Sequence, residues 1–177
     1  MNVPETFETD RLRLRKPVIE DAEQIFVKYA QDPVVTQYLI WKPHKSIDET
    51  RDFMRRCINS WVDGSAYPWI IIRKADNQLL GMIELRINGY IADFGYVLAR
   101  EYWRNGYTSE ASKAVVDWAL GQPEIYRVWA ICNVENTGSA RVMEKVGMQR
   151  EGILRRRVMH PAFSAEPSDA YCYSIVK

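Results

Sequence analysis

Along this chain the spacing of apolar positions changes period several times, and each change marks an element. Arg11-Leu-Arg-Leu-Arg15 alternates with period two, which predicts a first strand, and Pro17 breaks it. Ala22, Ile25, Phe26 and Tyr29 then recur at helical spacing across Glu20 to Ala30. Ser46-Ile-Asp-Glu49 has the form of a capping box, so a second helix is predicted from Ile47 to about Trp61. Between these helices, Pro33 to His44 reads as a loop with prolines and large aromatics. After Gly64 the period returns to two. Pro68–Arg73 and Leu79–Ile87 read as strands joined at Ala75-Asp-Asn77, and a third strand covers about Ala92 to Ala99.

Helical spacing resumes from Tyr107 to Leu120, with Ala111, Ala114, Val115, Trp118 and Ala119 on one stripe, and Gly121 and Pro123 stop it. Tyr126–Cys132 is a β-rich run, followed by a helix from Asn136 or Thr137 to Lys145 that ends at Gly147. Gly152–Met159 and Ala170–Val176 alternate loosely and suggest a closing antiparallel hairpin with a long proline-containing loop. The predicted order is β-α-α-β-β-β-α-β-α-β-β. Within it, Ala92 to Cys132 forms a βαβ unit, whose strands should lie parallel with a right-handed crossover. Ligands of such sheets bind beyond the carboxyl ends of the strands, which places the Trp103–Thr108 turn at a binding edge.

That turn carries candidate chemistry. It joins an apolar strand to the first turn of an amphipathic helix through Gly106, so free N–H groups and the positive end of the helix dipole point at whatever sits there. A phosphate or pyrophosphate is the natural occupant. A glycine at such a turn also serves conformation alone. A second patch, Asn136-Thr-Gly-Ser-Ala-Arg-Val-Met-Glu-Lys-Val-Gly147, strengthens the reading.

Composition changes this picture only by exclusion. The 177 residues suit one domain over 1–177 with a substantial core; they are 47% hydrophobic and 27% charged, which argues against disorder. Lysine plus arginine (24) nearly balances aspartate plus glutamate (23), so no global field would gather nucleic acid or an anionic membrane. Arg155-Arg156-Arg157 reads as a solvated strand or loop face rather than an RNA patch. Cys57, Cys132 and Cys172 lack metal-like spacing, and their odd number fits reduced thiols in a cytoplasm. No secretory leader or membrane span is visible, so a soluble cytoplasmic protein is expected.

The element order and both patches resemble the GNAT acetyltransferase superfamily, most closely its RimJ/RimL-like ribosomal-protein N-acetyltransferase branch. The resemblance begins at Phe7-Glu-Thr-Asp-Arg-Leu-Arg-Leu-Arg15. It continues through Gly95-Tyr-Val-Leu98, Tyr102-Trp-Arg-Asn-Gly-Tyr-Thr-Ser-Glu-Ala111 and Asn136 to Gly147, and closes at Pro167-Ser-Asp-Ala-Tyr-Cys-Tyr173. It implies an α/β fold of mixed α+β type, with a mostly antiparallel sheet, a βαβ core that binds acetyl-CoA, and helices on both faces. The superfamily's pyrophosphate loop, Gln/Arg-x-x-Gly-x-Gly/Ala, maps onto Trp103, Arg104, Asn105, Gly106, Tyr107 and Thr108. Trp103 and Thr108 depart from it, but the cradle is made by main-chain N–H groups. By the same resemblance, Tyr96, Val97 and Leu98 would run beside the pantetheine arm, and Asn136 would touch the cofactor from the other side.

The implied reaction is transfer of an acetyl group to a primary amine by direct attack in a ternary complex. An α-amino group, with a pKa near ~7.7–8.0, is partly neutral at pH 7 and needs only a weak base. The family-implied oxyanion donor is the Leu98 N–H. Many members carry a tyrosine where this chain has Met143. In the RimJ/RimL-like branch a serine takes the role, here Ser139, which alternatively only satisfies the first turn of its helix. The branch's glutamate aligns near Val158 and does not transfer. Glu84 is the replacement base candidate, set against a solvent-facing strand residue; Asp93 and His160 are weaker candidates, and Glu110 reads as a dipole-favoured cap. Cys132 alternates with Val128 and Ala130 and reads as core rather than an acetyl-cysteine nucleophile. Tyr38, Trp41 and His44 are candidates for the acceptor pocket or for anchoring the loop. No metal is called for. The favoured acceptor is an N-terminal α-amine of a protein or peptide. Alternatives are an aminoglycoside, polyamine or amino-sugar acceptor, and a catalytically idle acetyl-CoA-binding module. Edge strands near the C-terminus would allow a homodimer.

Overall fold

The computed structural model describes residues 1–177. The chain forms β1 (Thr6–Glu8), β2 (Leu12–Arg15), α1 (Asp21–Ile25, extended by a π-helical turn over Phe26–Ala30), α2 (Pro33–Thr36) and α3 (Ile47–Asp63). There follow β3 (Tyr67–Arg73), β4 (Gln78–Asn88), β5 (Ile91–Leu98), α4 (Tyr107–Gly121), β6 (Arg127–Asn133), α5 (Thr137–Val146), β7 (Gln149–Val158) and β8 (Ser168–Val176). All eight strands make one sheet in the order β1-β2-β3-β4-β5-β6-β8-β7. Only β5 and β6 are parallel neighbours, joined by the α4 crossover. No helix is long and apolar enough to cross a membrane.

Two local readings change. The segment from Pro33 to His44 is not all loop, because Asp32 accepts the Val34 N–H at 2.8 Å and proline stands at the start of α2, an arrangement that nucleates a helical turn. The short β1, which the alternation did not mark, pairs with β2 at the sheet edge. The arginine triplet lies exposed on β7, where Arg156 takes a positive φ of 50° at an irregular step of the ladder and pairs with Glu166.

What positions the site is a split in the middle of the sheet. β5 pairs with β6 only from Ile91 to Asp93. Beyond that point β5 stays with β4 as far as Leu98, while β6 follows β8 as far as Asn133. Each strand keeps its own antiparallel partner, so the two part as a V. At the tip of β5, Gly81 of β4 faces Leu98, and a Cβ there would lie 2.1 Å from the Val97 carbonyl oxygen. Only glycine allows that approach.

Candidate active site

Strand alternation decides which groups of β5 face the gap. The Ala99 N–H donates to Leu80 of β4 at 2.8 Å, so Val97 also turns toward β4, and the main-chain groups of Tyr96 and Leu98 turn to the open side. The Leu98 carbonyl is already met by the Trp103 indole N–H at 2.8 Å. Trp103 thus closes the end of the strand onto the turn that follows.

In that turn Arg104 and Gly106 both have positive φ, 65° and 80°. Alternation of left-handed and ordinary residues curls the main chain into a nest. The consecutive N–H groups of Arg104 to Ser109 donate to no protein acceptor, and the Glu110 N–H is the first to bond, to Gly106. The nest opens on a cavity of about 810 Å³ lined by Trp103, Arg104, Gly106, Tyr107 and Thr108. Arg141 and Lys145 line it from α5. These two cations were missed by the sequence reading; their i,i+4 spacing after Asn136 was the available signal. Asn105 does not line the cavity, because its amide braces the carbonyls of Tyr102 and Trp103.

Glu110 is not the cap expected of it. Its carboxylate accepts from the Thr9 hydroxyl, from the Arg11 N–H at 3.0 Å and from Arg11 Nε at 2.7 Å. Arg11 also donates to the Asn105 carbonyl at 3.0 Å and lies over the Tyr107 ring. The Thr9–Leu12 segment therefore ties down the turn from a distant part of the sequence. Burial alone would raise the Glu110 pKa, but the bonds from Thr9 and Arg11 outweigh it and hold the carboxyl below its ordinary value.

On the far side of the V lies a second cavity of about 530 Å³. The two cavities share Tyr38, Leu39, Tyr96, Val97, Asn136 and Ser139, so they meet at the split. At this junction the Tyr96 hydroxyl stands 2.7 Å from Ser139 Oγ. Asn136 spends its Oδ1 on the Ser139 N–H at 3.0 Å as the cap of α5, leaving Ser139 Oγ for Tyr96. Met143 is buried, and Tyr96 brings a phenol to the junction from β5 instead. Burial raises the Tyr96 pKa, and the phenol stays protonated. Cys132 lines the second cavity, but burial pushes its thiol up to about 11. It is a thiol, not a thiolate, at neutral pH.

Glu84 and Asp93 both line the second cavity. Arg86 stands between them, pairing with Glu84 Oε1 and with Asp93, the latter through Nε at 2.8 Å. Tyr38 and Trp41 line the same cavity. His44 does not; its Nδ1 lies 2.8 Å from the Thr50 hydroxyl and its ring packs on Trp41, so it anchors the loop. His160 is buried behind Tyr38, with Nδ1 3.4 Å from the Leu39 carbonyl oxygen.

Comparison with known proteins agrees with this geometry. The family described as Acetyltransferase (GNAT) domain matches residues 11–149. The chain belongs to the GNAT acetyltransferase family. It is 30% identical to the uncharacterized N-acetyltransferase p20 of Bacillus licheniformis, over 98% of this chain and 97% of that one. A GNAT-family acetyltransferase from Bacillus anthracis shares its fold with a TM-score of 0.84 and 29% identity, over 97% and 98% of the two chains. The ribosomal L7/L12 α-N-protein acetyltransferase RimL, solved with coenzyme A, has the same fold: TM-score 0.86, 21% identity, 97% and 98% covered.

Proposed function

We propose that this GNAT acetyltransferase moves the acetyl group of acetyl-CoA to an N-terminal α-amine of a protein or peptide, by direct attack within a ternary complex. One observation carries the reading: the two cavities meet at the β5–β6 split, where Tyr96 and Ser139 stand in hydrogen-bond contact. The residues present fit acetyl-CoA. The unpaired N–H groups of Arg104–Ser109 suit a pyrophosphate, Arg104, Arg141 and Lys145 suit further phosphate charge, and the open edge of β5 suits an amide-bearing arm. Bound there, the donor supplies an activated thioester at the junction.

The chain's own groups then divide the work. The Leu98 N–H, facing the gap, donates to the thioester oxygen as charge builds on it. Ser139 Oγ, backed by the protonated Tyr96, gives a proton to the departing sulfur. Glu84 has Oε1 held by Arg86, which leaves Oε2 to take the amine's proton. Cys132 remains a thiol, so no acyl-cysteine stage is invoked.

Charge in the acceptor cavity favours an α-amine over a polycation. Glu84 and Asp93 are balanced by Arg86 and Arg157, which line the same cavity. A polyamine acceptor, as in a spermidine N(1)-acetyltransferase of Vibrio cholerae 23% identical over 68% of this chain, would gain from an acidic surplus. Thiol release from acetyl-CoA, measured with Ala- and Ser-starting peptides beside spermidine and an aminoglycoside, tests the proposal. Turnover of the peptides supports it; turnover confined to a small polycation sinks it.

A further inference from the structure

The basic run on β7 has no task in the chemistry above. Four of the eight residues Arg150–Arg157 are arginine and one, Glu151, is acidic, against a near balance of charge over the whole chain. The nearby acids are committed elsewhere. Glu151 holds Arg127 through both oxygens, Glu166 pairs with Arg156 at 2.6 Å, and Asp169 accepts the Arg156 N–H at 2.8 Å. In the 530 Å³ cavity Glu84 and Asp93 both go to Arg86. Arg150, Arg155 and Arg157 are left as exposed cations without an ion pair.

A bare cation on an edge strand has a bland use, which is to keep one sheet from pairing with another. Two observations go beyond it. Arg157 and the next residue, Val158, line the 530 Å³ cavity, so one end of the run stands where the acceptor enters. At the other end Arg150 lies over the Tyr171 ring, 4.7 Å from its centre, so its guanidinium is held in place. Between them β7 is the last strand of the sheet and pairs only with β8. At ~3.3 Å per residue, Arg150 to Arg157 covers roughly 20 Å, the length of about six extended residues.

The occupant that suits this track is acidic and extended. A second copy of β7 would set arginines against arginines, and like charges oppose that pairing. We propose that Arg150, Arg155 and Arg157 dock an acidic segment of the acceptor polypeptide that follows the acetylated N-terminus. The amine enters at the split, the chain leaves the cavity past Arg157, and its carboxylates meet Arg155 and Arg150 along the edge. The inference rests on the N-terminal reading above and adds a requirement on the sequence that follows the amine.

The test uses two Ala-starting peptides of equal length. One carries an Asp/Glu run after a short neutral stretch, and the other has Asn/Gln in its place. The wild-type protein should favour the acidic peptide by about tenfold in kcat/KM, through KM, and added salt should shrink the preference. Arg150→Gln combined with Arg155→Gln should bring the peptides to within about twofold of each other, with the acetyl-CoA KM unchanged. Lysine at both positions should keep the preference, because the track works by charge. Equal turnover of the two peptides by the wild type overturns the proposal, as does a preference that survives the glutamine pair. If neither peptide is acetylated, the N-terminal reading fails by itself, and the track is judged by fluorescence anisotropy of the labelled peptides on the CoA-loaded protein. Tighter binding of the acidic peptide, lost with the glutamine pair, supports it; equal binding of the two peptides overturns it. A single-stranded RNA oligonucleotide that outcompetes the acidic peptide also overturns it, since the track would then belong to nucleic acid.

Discussion

The side of the split that faces the Trp103–Thr108 turn is made of main chain, whereas the side that faces Tyr38 and His160 is made of side chains. On the first side the working groups are N–H donors of a nest and the open edge of β5. On the second they are Tyr38 and Trp41 from the loop after α2 and Glu84 from β4. A site of main-chain donors survives substitution as long as the chain keeps its path, so Trp103 and Thr108 can depart from the family pattern. A site of side chains changes with each substitution. One fold can thus keep its donor and exchange its acceptor.

The strongest way to break the main-chain half is to move the strand that carries it. In Gly81→Ala the new Cβ would meet the Val97 carbonyl oxygen and the Leu98 Cα, both backbone atoms that cannot swing aside. We expect a loss of about 1–3 kcal/mol in stability, equivalent to roughly 2–4 °C in Tm per kcal/mol, together with weaker acetyl-CoA binding. Thermal melts with and without CoA check both. An unchanged melt would mean that β4 and β5 separate there at no cost.

Next in size is the junction, where the two halves touch. Ser139→Ala should lower kcat by about tenfold to a hundredfold with little change in the acetyl-CoA KM, the pattern of a group that acts only as the sulfur departs. Tyr96→Phe should do the same. Because the two hydroxyls act as a pair, the double substitution should cost little more than the worse single one. Fully additive losses would show that they work separately.

The same division explains what could be read in the chain. The βαβ unit, the helix stripes and the Gly106 turn were legible because period and glycine placement are local signals. The split between β5 and β6 was not, since it depends on β8 inserting beside β6 rather than on anything in β5. Glu110 looked like a cap from its place in the first turn; its true partners, Thr9 and Arg11, stand about a hundred positions earlier, beyond the reach of a local pattern. Ser139 was nominated through its family position, whereas its contact with Tyr96 needed the fold.

A smaller effect is expected from the tie that secures the nest. Glu110→Gln weakens the Arg11 pairing without touching any N–H of the turn, so the acetyl-CoA KM should rise by roughly three- to tenfold at constant kcat. The pH dependence follows from the depressed carboxyl. A group whose pKa is lower in the folded state stabilises that state above its unfolded value, near 4.5 here, and loses this contribution as pH falls through the folded value. Wild type and Glu110→Gln should therefore differ in Tm at pH 7 and converge as the pH is lowered below 4.5. A constant difference down to acid pH would assign the tie to packing rather than charge.

The mildest prediction separates lining from anchoring within the side-chain half. Trp41 lines the 530 Å³ cavity and packs on Phe53 and His44, while His44 does not line it and bonds to Thr50. Trp41→Ala should raise the acceptor KM by about three- to tenfold and leave the acetyl-CoA KM alone, because the indole supplies apolar area to that cavity only. His44→Ala removes the ring that supports Trp41 and the bond to Thr50, so it should lower Tm while moving the acceptor KM less than Trp41→Ala does. If His44→Ala instead has the larger effect on the acceptor, the imidazole must enter the wall when an acceptor binds. The loop between α2 and α3 would then close over its substrate rather than stand as a fixed wall, and the acceptor half would differ from the donor half in mobility as well as in material.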